Sequence, residues 1–397
     1  MSEAPLALHP LTRLHEGDGI LVGRPDAESY VVLPLDGAAL LERLIEGMAP
    51  SAAAAWYHDT FAESVDIDDF TATLDELGFL RSGAAEATVV AAPVRLQWLG
   101  RMLFSPVALA AYGALVTVWI WTLTRRPELA PSPRHLFFTS SIVLAELLVV
   151  CGQWPWLFLH EAFHVLAGRR LGLASRVGVG RRLCFVVFET RMPSLLSVER
   201  RRRHVPFLAG MLADVVAVAS LGVFAYALSG RTGVTHTLRT VALAMAFPIC
   251  ARFAYQFILF LQSDVYYVLA TALGCYDLHA ATQARVMNRY WKLGRRPERM
   301  FDEGRWTSRD RQVARYYEPL FAGGIAVLLA IWCFALLPAT RLLVHLLLHA
   351  LRSGPSDARF WDGTLFVSLN VAQLVVLFAI ARRDRRHRSL SPSPEPE

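Results

Sequence analysis

The sequence predicts a mainly α, polytopic membrane helix bundle of about six crossings, with a small N-terminal α+β domain of winged-helix-like character. Three observations predict it. Apolar residues make up 54% of the 397-residue chain and concentrate after Leu103, where several uncharged runs reach the roughly 20 residues needed to cross a bilayer. The first 88 positions hold 16 acidic and only 4 basic residues, so the remainder is strongly basic. That basic charge is nearly all arginine, clustered beside the apolar runs. Such clusters are topology signals rather than a nucleic-acid surface, and the expected surroundings are a lipid bilayer with no nucleic-acid partner.

The elements follow in order. Residues 1–82 read as a soluble domain. Ile20-Leu21-Val22-Gly23 and Tyr30-Val31-Val32-Leu33 form a hairpin across the turn Arg24-Pro25-Asp26. Asp36 is placed to cap a helix with Leu40, Leu41, Leu44 and Ile45 on one face. Pro50 and Ser51 separate it from an Ala-rich helix ending near His58. Asp66 to Leu77 forms a third helix, and Gly78 suits the left-handed position beyond its end. Residues 83–102 are a linker and interfacial helix. No charged, apolar and small-residue succession marks a cleavable signal, so the N-terminal domain is expected in the cytoplasm.

The membrane unit spans 103–388, with crossings at about 103–124, 136–169, 205–228, 240–274, 318–338 and 363–381, and a short interfacial helix over Leu342–Leu351. With the N-terminus inside, the inner segments 170–204, 275–317 and 382–397 carry about 25 Lys and Arg residues against about 8 outside. Both termini are then cytoplasmic and the protein sits in the cell membrane. Residues 389–397 form a disordered tail. The block Arg200-Arg201-Arg202-Arg203 reads as an anchor touching anionic lipid, and Glu303 and Asp310 as a solvated face. Five cysteines (Cys151, Cys184, Cys250, Cys275, Cys333) without close pairing argue against a disulfide framework or cysteine metal site.

The hairpin followed by helices resembles the PqqD-like domains that bind leader peptides of ribosomally made peptides. The residues that carry the likeness are Gly23-Arg24-Pro25-Asp26, Asp36-Gly37-Ala38, and Val65 through Phe70 with Leu77-Gly78-Phe79. The resemblance implies a peptide partner for this domain.

The chemistry lies in His160-Glu161-Ala162-Phe163-His164. Two histidines four residues apart project from one face of a helix, and both ring nitrogens can reach a zinc ion at roughly 2.0–2.1 Å. Glu161, beside the first ligand, can take a proton from water that zinc acidifies to a pKa of about 7. The motif sits between Leu157-Phe158-Leu159 and Val165-Leu166-Ala167, where a carboxylate in a membrane helix is costly and marks function. A third ligand must come from Glu146, Glu189, Asp214 or Asp264. Glu146 lies about 21 Å along the helix from His160, too far to share an ion. Depth counted from the helix ends favours Asp264, with Asp214 the alternative. The same counting predicts a buried ion pair between Glu146 and Arg252, since they precede His160 and Asp264 by 14 and 12 residues.

These residues resemble the site-2 protease family of intramembrane zinc metallopeptidases, from the HExxH motif through Ala167-Gly168-Arg169-Arg170-Leu171-Gly172 and Ala209-Gly210 to Asp264. The resemblance implies two His ligands, an Asp ligand and Glu161 as base in a zinc endopeptidase acting on a peptide or membrane-protein substrate. The chain departs from the family at Val265, where Gly usually follows the Asp, at Gln256 and Leu259, and at Asp214 in place of Asn. The run Leu183 to Phe188 reads as a strand beside the site that can hold extended substrate. The rival reading is a non-catalytic metal-binding membrane protein, a peptide transporter or immunity factor.

Overall fold

The computed structural model describes residues 4–390, apart from 17–18, 28, 82–93, 183–184, 193 and scattered positions between 332 and 353. Its N-terminal unit opens with strands β1 (Thr12–Glu16), β2 (Gly19–Arg24) and β3 (Ser29–Pro34), an antiparallel sheet in that order. The expected hairpin is β2 with β3, in register from Gly19 against Pro34 to Arg24 against Ser29. The periodicity did not reveal β1, because Thr12-Arg13-Leu14-His15-Glu16 offers a single apolar side chain.

Helices α1 (Leu35–Ile45), α2 (Pro50–Phe61) and α3 (Ile67–Glu76) follow, and Val22, Leu40, Leu41, Leu44, Leu74 and Phe79 close a core that belongs wholly to this unit. Asp66 caps α3, accepting from the backbone N–H of Asp69 at 3.0 Å, and Gly78 takes a φ of +68°. Asp36 does not cap α1, contrary to expectation. Pro34 occupies the cap position without a side-chain bond, and the Asp36 carboxylate accepts from the Tyr57 hydroxyl on α2. That hydrogen bond holds the Asp36 carboxyl below the usual carboxylate range and pushes the Tyr57 phenol up to about 12.

The linker over 83–93 lies outside the described residues. The chain continues with α4 (Gln97–Leu103), α5 (Pro106–Arg125), α6 (Ile142–Arg170), a hairpin of β4 (Arg176–Arg182) and β5 (Phe185–Arg191), α7 (Arg200–Ala227), α8 (Val234–Tyr255), α9 (Asp264–Leu273), α10 (Leu278–Leu293), α11 (Ser308–Ile331) and α12 (Ala358–Leu390). Five of these helices, α5, α6, α7, α8 and α11, are long and apolar enough to cross a membrane. The expected sixth crossing, 363–381, falls inside α12. The interfacial helix expected over Leu342–Leu351 falls largely outside the described residues. So do 391–397 of the expected tail, while α12 carries the helix through 389 and 390.

Other expectations are corrected. The crossing 240–274 is not one helix: α8 ends at Tyr255, a short 3-10 turn covers Leu259–Leu261, and α9 restarts at Asp264. The arginine block opens α7, and only Arg201 and Arg202 of it are exposed. Arg203 is buried against Glu16, and Arg200 donates to the Thr271 and Ala272 carbonyls at the end of α9. Asp310 is buried and accepts from Thr307 Oγ1 (2.7 Å) and the Tyr276 N–H (3.1 Å), while Glu303 accepts from Asn288 Nδ2 at 3.0 Å.

The ion pair between Glu146 and Arg252 does not form. Arg252 pairs with Asp214, and Glu146 accepts from Asn370 Nδ2 on α12 at 3.0 Å. The break after Tyr255 defeats a depth count that assumed an uninterrupted helix. Nearer the start of α12, Asp362 accepts from Ser141 Oγ (2.5 Å) and the Ile142 N–H (2.9 Å), satisfying orphan donors at the start of α6. Two polar contacts thus fix α12 along the N-terminal half of the helix that carries the histidine motif.

Tyr57→Phe removes the donor to Asp36, and we expect residues 4–81 to lose about 1 kcal/mol of stability in urea melts at pH 7. Because the folded-state pKa of Asp36 is depressed, its contribution is full above the ordinary aspartate value of about 3.9 and disappears as pH falls through the lowered one. The gap between wild type and Tyr57→Phe should therefore narrow on acidification; a gap independent of pH would show that Asp36 does not carry it.

Candidate metal centre

The centre is assembled by α6, α7 and α9. On α6 the N-terminal half presents Leu144, Leu147, Leu148 and Phe158 to the surroundings, whereas His160, Glu161 and Phe163 through Gly168 are buried. Burial begins where α7 packs alongside. Ala209, Ala213 and Ala217 recur at four-residue spacing on α7, and small residues let two helix backbones approach closely. Phe163, Leu166 and Ala167 fill the resulting seam with Ala209 and Ala213.

A second four-residue stripe of α7 supplies Pro206, Gly210 and Asp214. His164 Nδ1–H donates to the Pro206 carbonyl at 2.7 Å, and His160 Nδ1–H donates to Asp214 Oδ2 at 3.0 Å. Both partners are pure acceptors, so each Nδ1 carries the proton and each Nε2 presents a lone pair. The two Nε2 atoms stand 3.2 Å apart. Asp264 Oδ2 completes a triangle at 3.4 Å from His160 Nε2 and 3.3 Å from His164 Nε2, and no donor satisfies that buried oxygen. Between the rings lies Gly210, where any Cβ would run into both Nε2 atoms.

Three electron-rich atoms facing one another in a buried site repel unless a cation sits between them. A tetrahedral ion with bonds of roughly 2.0–2.1 Å holds its ligand atoms about 3.3–3.4 Å apart, which the three measured separations match. Formal charge points the same way. Asp214, Asp264 and Glu161 against Arg252 leave two negative charges around neutral imidazoles, a balance for a dication. Among the described residues, His160, His164 and Asp264 are the one such group able to hold a metal.

Asp214, the alternative ligand, sits behind His160 instead. It is fully buried and paired with Arg252, whose Nη2 also donates to the Trp156 carbonyl at 3.3 Å. An acceptor on the far ring nitrogen orients a ligating histidine and raises its basicity. Glu189 lies on β5 with its side chain outside those described, and Glu146 is held by α12 far from the site.

Asp264 opens α9, and the break before it is held shut by Gln256. The Gln256 side-chain oxygen accepts the Asp264 N–H at 3.1 Å, and its carbonyl accepts from Ser263 Oγ at 2.5 Å. As the first residue of a helix, the Asp264 carboxylate sits at the positive end of the α9 dipole. Glu161 Oε2 accepts from Thr190 Oγ1 on β5 at 2.8 Å. Phe188 keeps that strand against α6, packing on Trp154 and Phe158 with ring centroids 5.8 and 5.5 Å away. Glu161, both histidines and Asp264 line one cavity of about 480 Å³.

The site roles of five contributors were not read from the sequence: Pro206, Gly210, Arg252, Thr190 and Gln256, although Gly210, Arg252 and Gln256 stood out there for other reasons. A usable signal existed for the first two, since Pro206, Gly210 and Asp214 share helical spacing on the segment after the motif. Thr190 and Gln256 act through contacts no spacing reveals. Searched against family models, curated proteins and solved structures, the chain matches none. The likeness to site-2 proteases and PqqD-like domains therefore rests on the residues themselves.

Two substitutions test the centre. Gly210→Ala puts a methyl where the ion would lie, and purified protein should keep its helical circular dichroism while metal content drops from about one equivalent to almost none. Full metal content in that variant would remove the ion from this triangle. Arg252→Met strips the partner from buried Asp214, and should lower stability by about 3–5 kcal/mol and metal affinity by about 10–100-fold. Adding Asp214→Asn should restore the stability.

Proposed function

We propose that this chain is a membrane-embedded zinc endopeptidase, and that residues 4–81 recruit the peptide it cleaves. One observation carries the reading: a lone-pair triangle from two histidines and an aspartate, with a second carboxylate, Glu161, lining the same cavity. Two His nitrogens and one carboxylate, with an open fourth position, are a catalytic zinc donor set. A bound zinc ion would supply Lewis acidity, polarising the scissile carbonyl and lowering the pKa of water to about 7.

The protein residues divide the remaining work. His160, His164 and Asp264 hold the ion, and Asp214 and the Pro206 carbonyl fix the two imidazoles in the tautomer that donates through Nε2. Glu161 accepts the proton of the attacking water and delivers it to the leaving amine. Thr190 holds one oxygen of that carboxylate in place, leaving the other for proton transfer. The open edge of the two-stranded β4–β5 sheet suits an extended substrate, the form in which a peptide bond is accessible to attack.

The membrane setting follows the charge asymmetry. With the N-terminal unit in the cytoplasm, the arginine-rich segments between crossings lie inside. The metal centre sits toward that side, in the half of α6 that ends at Arg169-Arg170. Substrates of this arrangement are a ribosomally made precursor with a leader peptide or a membrane-anchored peptide.

Glu161→Gln should abolish cleavage of a co-expressed precursor peptide while zinc stays near one equivalent, because the residue is a base and not a ligand. His160→Ala, His164→Ala and Asp264→Ala should lose the metal together with the activity. Metal analysis beside mass spectrometry of the peptide separates the two classes, and an active Glu161→Gln protein would refute the mechanism.

A further inference from the structure

A second cavity, of about 660 Å³, lies between the N-terminal unit and the ends of α7 and α9. Glu16 on β1 and Tyr30 on β3 line one side, and Leu196, Arg200, Thr271 and Tyr276 line the other. It shares Met192, Leu195, Phe207 and Tyr267 with the cavity of the metal centre, so the two are adjoining chambers. Phe207 and Tyr267 stack at the junction, centroids 5.4 Å apart and rings inclined by 15°.

The N-terminal unit is fastened over this space. Glu16 accepts from Arg203 at the start of α7 and from the Tyr276 hydroxyl beyond α9, and the Tyr30 and Ser197 hydroxyls are 3.2 Å apart. The unit thus joins the two helices that supply Gly210, Asp214 and Asp264. A charge pair as buried as Glu16 and Arg203 costs desolvation, and its clearest physical return is a fixed geometry.

We propose that the two chambers form one passage through which an extended segment of a soluble peptide runs from the N-terminal unit to the metal centre. This rests on the peptidase reading and narrows its substrate class, excluding a folded transmembrane helix delivered from the lipid. An α-helix with side chains is about 10–12 Å across, so the outer chamber holds little more than about one turn of one. An extended strand needs backbone partners on its flanks and room for side chains on alternate faces. The walls carry hydrogen-bonding side chains, Gln262, Arg200 and Asp277, beside the apolar Leu195, Leu196 and Met192.

The test uses the full chain in lipid nanodiscs, with Glu161→Gln to retain bound peptide and photoreactive benzoylphenylalanine in place of Leu196. One probe is a pool of soluble random-sequence peptides. The other is a single-span leucine–alanine helix in the same discs. Illumination should yield adducts with the soluble peptides and not with the helix, while the photoprobe at lipid-exposed Leu148 should capture the helix. Thr271→Trp, which fills the outer chamber, should cut the peptide adduct by about tenfold with metal content unchanged. If that variant does not fold, Leu196→Trp with the photoprobe at Thr271 makes the same measurement from the opposite wall.

No peptide adduct, an adduct indifferent to the tryptophan, or capture of the helix at Leu196 would each overturn the passage. Hydrolysis is measured separately in protein that keeps Glu161. Adducts without hydrolysis would sink the peptidase reading and leave the passage as a binding route, whereas hydrolysis without adducts would sink the passage alone.

Discussion

The structure turns on an electrostatic constraint: three lone pairs converge within 3.4 Å of one another in a buried site. Such an arrangement is unfavourable by itself, and the surrounding protein holds it open. The proton on each histidine is drawn away to Nδ1 by an acceptor on α7, and Oδ2 of Asp264 is left without a donor. Each of these choices would be a defect in an apolar core. Together they define a place for a cation.

The packing of α7 follows from that requirement. Its alanines bring its backbone close to α6, and Gly210 removes the side chain that would occupy the space between the imidazoles. One turn on either side, Pro206 and Asp214 reach the far nitrogens of the same rings. Asp214 is itself a buried charge, and Arg252 on α8 neutralises it, so the polar network behind His160 runs through α6, α7 and α8. Arg252 also reaches the Trp156 carbonyl on α6, tying α8 back to the helix that bears the motif.

The break between α8 and α9 has a similar logic. Irregular backbone within a membrane protein is tolerated where protein or a polar cavity satisfies its groups. Gln256 and Ser263 meet that need, and the interruption lets Asp264 enter the site from a helix start rather than from a helix face. The N-terminal unit is tied to the same machinery through Glu16, which meets α7 by Arg203 and the chain after α9 by Tyr276. A change in the posture of that unit would bear on the helices that supply the centre.

How much of this was legible depends on whether the information is local. The histidine motif, its apolar flanks, the five long apolar helices and the caps at Asp66 and Gly78 follow from spacing and residue type, because helical periodicity and bilayer thickness act along the chain. The approach of Asp264 was also legible, since counting depth from two helix ends requires only the rise per residue. The same count failed for Glu146 and Arg252, where it took α8 and α9 for one helix. That Asp214 stands behind His160, what neutralises it, why Gly210 must be glycine and what holds Glu161 were decided by tertiary structure alone. Each depends on where a side chain from one helix meets a ring or carboxylate from another, and helix rotation and breaks set such meetings without any trace in local sequence.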